Sequence, residues 1–62
     1  MSQEEDLAKF FHDTYERLAP EFNYHTRKAS AVRWEDVPEN NKSLMIAVSK
    51  EVLIYLHMLV DK

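Results

Sequence analysis

From position 38 onward, apolar residues crowd the chain: PENNKSLMIAVSKEVLIYLHMLV runs from Pro38 to Val60 with no glycine and no internal proline. Stepped around a helix, Leu44, Met45, Ile46, Val48, Val52, Leu53, Tyr55, Leu56, Leu59 and Val60 share one arc of about 200°. Ser43, Lys50, Glu51, His57 and Asp61 hold the rest, with Ala47, Ile54 and Met58 intruding. A helix that packs on one neighbour needs an apolar stripe of roughly 100°. Twice that width asks for two or more neighbours. The pattern predicts a helix over 38–60, about 34 Å long. Pro38 suits its first position, where a missing N–H costs nothing, and Glu39 complements the positive end of the dipole.

An earlier helix is predicted over 3–18. Ser2 with Glu5 three residues on reads as a capping box. Glu4, Glu5 and Asp6 bring negative charge to the helix start. Leu7, Phe10, Phe11, Thr14, Tyr15 and Leu18 keep the i, i+3, i+4, i+7 rhythm in a stripe of about 140°. Asp13 and Arg17 stand as an i, i+4 pair. Ala19 precedes Pro20, a placement that turns a residue away from the α region and stops the helix.

The connection over 19–37 is far longer than the roughly 2–8 residues that usually join helices. Phe22 and Tyr24 are expected to fold back onto the helices. Trp34 and Val37, with Glu35 and Asp36 between them, read as a staple: Trp34 lands on the core just ahead of the second helix. The fold class is therefore all-α: a two-helix hairpin, antiparallel, with a long folded connection. Such a hairpin has little core, and two of them back to back make a helical bundle. Oligomerisation, as a homodimer or higher, is expected through Met45, Val48, Val52, Leu56 and Leu59, with a two-fold dimer the simplest case.

Size sharpens that expectation. The chain has 62 residues, one small domain, and chains of this length are marginal alone without disulfides, metal or a partner chain. It has no cysteine, which removes disulfides, thiolate zinc sites and thiol nucleophiles. It has no glycine, which removes dinucleotide-binding, P-loop and nucleophile-elbow motifs, since each relies on glycine geometry. The net charge of −3 argues against nucleic-acid binding over the whole surface. No apolar run follows a basic start, so no secretory leader is expected and a cytoplasmic location is the default. The uncharged run from Val52 to Val60 falls short of the roughly 20 residues a bilayer requires, so no membrane span is expected.

Chemistry-bearing residues are sparse. His12 with Glu16, and His57 with Asp61, are i, i+4 pairs, but two ligands do not make a metal site. The carboxylates gather at helix starts, where capping explains them, and Ser43 and Ser49 have no base at helical spacing. No enzyme, cofactor or metal is expected. Positive charge instead gathers in the connection. Arg27, Lys28 and Arg33 lie there with no acid between Phe22 and Trp34, which leaves the rest of the chain at −6 against its total of −3. With Tyr24, these cations form the candidate partner-binding surface: Tyr24, Arg27, Lys28 and Arg33. Tyr and Arg are common anchors of protein interfaces. Cations among aromatics also grip phosphates and stack on bases, so a nucleic-acid or nucleotide binder remains the alternative, as does a purely structural assembly subunit.

One stretch resembles a known kind of protein. Ala19-Pro20-Glu21-Phe22, Tyr24-x-Thr26-Arg27, Trp34-Glu35-x-Val37-Pro38, Asn41-Lys42-x-Leu44-Met45 and Glu51-Val52-Leu53 are similar to a recurring type of small helical proteins from phages and prophages. The likeness covers a little over half of the chain and assigns no functional residue. It implies a phage-related context, in which small acidic helical proteins often bind and block a host protein, including defence components such as CRISPR effectors. The expected function is an oligomeric protein-interaction module, a phage-encoded inhibitor or regulator of a host protein.

Overall fold

The computed structural model describes residues 2–28 and 31–60. Its elements run α1 (Gln3–Leu18), a 3-10 turn (Ala19–Phe22), a second 3-10 turn (Trp34–Asp36) and α2 (Glu39–Val60), and no strand occurs among the described residues. The protein is all-helical, with its two α-helices packed on each other.

α1 starts where its cap predicts. Ser2 is extended, at φ −79° and ψ 157°. Its Oγ accepts the Glu5 backbone N–H at 3.1 Å, and its hydroxyl lies 3.4 Å from the Glu5 carboxylate. One of the orphan donors of the first turn is thereby satisfied. The Glu5 side chain reaches the hydroxyl rather than the backbone N–H of the usual reciprocal box. Further along, Asp13 pairs backward with Lys9 at 2.9 Å instead of forward with Arg17. That contact raises the Lys9 pKa, first through the hydrogen bond and then through the charge of Asp13.

α1 ends at Leu18 as expected, but Ala19 does not leave the α region. Ala19 stays helical, at φ −51° and ψ −45°, despite the following Pro20. The chain tightens into a 3-10 turn and stops at Asn23, whose φ of 57° is left-handed. Asn23 donates to the Pro20 carbonyl at 3.2 Å and Tyr24 to the Ala19 carbonyl at 3.0 Å. Asparagine is the usual substitute where glycine is lacking, because its short polar side chain tolerates this region.

The connection is tied to α1 at two points. The Thr26 hydroxyl donates to a Glu16 carboxylate oxygen at 2.9 Å. The buried His12 holds the Val32 carbonyl at 2.6 Å through Nε2. A carbonyl only accepts, so that nitrogen carries the proton. Both histidine and glutamate of the i, i+4 pair thus anchor the loop. α2 then begins one residue later than expected, with the Pro38 carbonyl accepting the Lys42 N–H at 2.9 Å.

Trp34 is the centre of the core. It is only 9% exposed and packs with Ala8 and Val37, against which Met45 and Ile46 also lie. The His12 ring sits 5.9 Å from it, and the Lys42 ammonium lies 5.5 Å above its face. The staple reading of Trp34 and Val37 therefore holds. The faces of the helices do not fall as the apolar pattern suggested. α1 turns Ala8 and His12 inward and leaves Phe10, Phe11 and Tyr15 exposed. α2 buries Ser49 completely, with its hydroxyl donating to the Met45 carbonyl at 2.9 Å. Small residues sit inside, so the helices approach closely, and the larger apolar side chains are left outside.

Removing the Trp34 side chain takes away the one large group in this core. Trp34→Ala is expected to lower the unfolding free energy by about 3–5 kcal/mol, measured by urea denaturation followed by far-ultraviolet circular dichroism. A loss below about 1 kcal/mol would show that the core does not depend on it.

Candidate functional site

Two surfaces stand out, and they adjoin. The first is an open apolar cleft of about 770 Å³ between α1, the first 3-10 turn and the start of α2. Phe11, Tyr15 and Leu18 form its α1 wall. Phe22 and Tyr24 close one end, and Leu44, Met45 and Val48 form the α2 wall. Leu18 precedes the proline-bearing turn, and that turn swings Phe22 outward to 77% exposure. Phe22 thus forms a rim and does not fold into the core. Tyr24 meets Tyr15 edge to face, with ring centres 6.1 Å apart. The Tyr24 hydroxyl, as a neighbouring hydrogen-bonding group, and with it partial desolvation, raise the Tyr15 phenol above its ordinary value of 10.0.

The second surface is a more polar groove of about 640 Å³ that shares Tyr15, Tyr24, Leu44 and Met45 with the first. Arg27 lines it, opposite Asn40 and Asn41 at the start of α2, with Thr26 and Glu16 in its wall. Of the loop residues picked from sequence, the structure brings Tyr24 and Arg27 to this groove. Lys28 is exposed in the turn beyond it. Arg33 is set apart: it precedes the second 3-10 turn and binds Asp36 through Nε and Nη2 at 3.3 and 3.2 Å. Among the described residues neither Arg27 nor Lys28 has an acidic partner.

The apolar face of α2 is exposed for most of its length. Val48, Leu56 and Leu59 are open to solvent, while Met45 and Val52 are half-buried, Met45 against the Trp34 cluster. Leu44 and Tyr55, outside the set picked from sequence, are more exposed than any of these. Phe11, Tyr15 and Phe22 were also missed as site residues. Their aromatic character was visible, but it was read as core.

α2 is also long and apolar enough to cross a membrane by length and composition, with a window of mean hydropathy 1.6 of which 6% is buried. The charged pair Lys50 and Glu51 stands at its midpoint. Among the described residues no group of three metal-binding side chains occurs. Glu16 is bonded to Thr26, and Asp61, the proposed neighbour of His57, lies outside the described residues. Compared with family models, with curated proteins and with solved structures, the chain matches none of them.

The tyrosine pair gives a direct check on the cleft wall. The neutral Tyr15 phenol is favoured in the folded protein. Its contribution to stability is therefore present below the unfolded tyrosine pKa and is lost as pH rises through the alkaline range. Tyr24→Phe removes the hydroxyl partner, and the Tyr15 titration, followed by ultraviolet difference absorbance, is expected to move to lower pH. An unchanged midpoint would mean that the two hydroxyls are not in contact.

Proposed function

We propose that this protein is a non-catalytic helical interaction module that assembles with itself through α2 and meets a second protein through its loop. The observation that carries the reading is surface that the fold leaves uncovered. The chain exposes 5186 Å². A folded monomer of 7.4 kDa is expected to expose about 4,200 Å². The surplus is roughly 1,000 Å², close to the roughly 800 Å² that each partner buries in a standard protein interface. It is also apolar in the right place, along Leu44, Val48, Tyr55, Leu56 and Leu59. Monomeric soluble proteins rarely leave so large an apolar patch bare.

For the second protein, Tyr24, Arg27 and Lys28 are the residues that favour the reading, with Arg33 already paired to Asp36. Two unpaired cations are few for a phosphate-backbone binder, whose affinity comes from several simultaneous contacts. A protein partner therefore fits better than nucleic acid. In the phage-related setting that the sequence likeness implies, the module acts as an inhibitor or regulator of a host protein, such as a defence component, in the host cytoplasm.

Sedimentation equilibrium on the pure protein is expected to show a reversible dimer or higher oligomer. Leu59→Asp places a charge on the exposed stripe and is expected to yield a monomer that keeps its helical circular dichroism. A wild-type chain that stays monomeric and folded at millimolar concentration would refute the reading. For the loop, the Arg27→Glu, Lys28→Glu double variant is expected to lose a protein that the wild type retains from host lysate. That retention should respond weakly to salt, whereas nucleic-acid binding would fall steeply with it.

A further inference from the structure

We propose that two copies of the chain pair their α2 helices antiparallel, so that the bare C-terminal half of each fills the aromatic cleft of the other. The inference rests on the self-association argued above and specifies its geometry.

Of the exposed apolar residues of α2, Leu44, Val48, Tyr55 and Leu59 fall within one narrow strip of about 60°, with Leu56 beyond its edge. The strip's spacings are four, seven and four residues, which read the same in both directions. A two-fold interface requires that property, because each residue must meet its counterpart from the other copy. About an axis between Glu51 and Val52, Leu44 opposes Leu59 and Val48 opposes Tyr55. Ser43, Lys50 and His57 fall on the opposite side of the helix, while Glu51 borders the strip beside Leu44.

Direction follows from where the cleft lies. Leu44 and Val48 belong both to the stripe and to the cleft wall, so the N-terminal half of the stripe is flanked by Phe11, Tyr15 and Phe22. The C-terminal half from Ile54 to Val60 is exposed at every position and contributes no wall to the cleft. Antiparallel pairing lays that bare half along the cleft of the second copy, twice over. Parallel pairing sets the two clefts side by side and leaves the two bare halves only each other. The antiparallel arrangement also opposes the two helix dipoles favourably. A second copy is the occupant because the surplus surface matches one interface and the stripe complements itself.

The chain has no cysteine, so single-cysteine variants report geometry without background. Sedimentation of the wild type first establishes whether a dimer forms at all. Val48→Cys mixed with Tyr55→Cys is then expected to give a disulfide-linked pair on mild oxidation, with little linking of either variant alone; Leu44→Cys with Leu59→Cys serves as an independent pair. Disulfides form only across Cα separations of about 4.4–6.8 Å, so the pattern reads register. Phe22→Asp, at a rim position 77% exposed within the subunit, is expected to leave the helical circular dichroism intact and weaken dimerisation at least tenfold. Dimers in which each variant links to itself would overturn the antiparallel arrangement while leaving self-association standing. A Phe22→Asp chain that dimerises as well as the wild type would remove the cleft from the interface. A wild-type monomer that instead co-sediments with phosphatidylcholine vesicles would overturn both proposals.

Discussion

The structure depends on Trp34, the one large side chain placed between the helices. It reaches the core from the loop, rests on Ala8 and Val37, and is covered by Lys42 from the first turns of α2. Burying a side chain of this size, some 150–250 Å², is worth about 4–6 kcal/mol as an upper figure. The net stability expected of a chain this long is about 3–9 kcal/mol. One residue therefore supplies a contribution comparable to the whole margin. The hydrogen bonds of His12 to Val32 and of Thr26 to Glu16 act in the same cause, because they hold the segment that delivers Trp34.

A core built on a loop tryptophan leaves the helices with a consequence. Close approach requires small residues inside, and Ala8 and Ser49 are the two completely buried ones among the described residues. The rotation that brings them inward carries Phe10, Phe11 and Tyr15 outward on α1, and Leu44, Val48 and Tyr55 outward on α2. The uncovered apolar surface is thus produced by the same packing that forms the core. Tyr24, held against Tyr15, and Phe22, swung out by the proline-bearing turn, enclose the part of that surface formed by Phe11, Tyr15, Leu44 and Val48 into a cleft.

Much of this framework was legible in the sequence, and the reasons are local. Ser2 and Glu5 mark the start of α1, Pro38 and Glu39 that of α2, and the bounds of both helices follow. Trp34 stands four residues ahead of Pro38, a spacing that places an aromatic under the first turn. The burial pattern was less legible. Hydrophobicity ranks Phe11 and Tyr15 above Ala8 and His12, but burial in a two-helix packing depends on how closely the backbones meet. That is a property of the pair, not of either helix. The role of Arg33 was hidden for a related reason: Asp36 lies just past the stretch counted as free of acids, and only the 3-10 turn brings it back within 3.2 Å. The loop cations therefore looked like a set of three, while the folded chain offers Arg27 and Lys28.

The apolar excess of α2 admits two environments, a bilayer or another protein, and Lys50 weighs against the first. It stands at the midpoint of the helix, the depth at which a lysine costs about 2.5–3.5 kcal/mol on insertion. Glu51 beside it adds a second charge at the same depth. In the proposed pairing Glu51, three residues from Val48 and four from Tyr55, lies at the edge of the contact, and only Lys50 stands clear of it. There Leu44, Val48, Tyr55 and Leu59 form the proposed contact, and Lys50 lies across the helix from them with its ammonium in water. The charge that penalises a span also limits how far around the helix a protein contact extends.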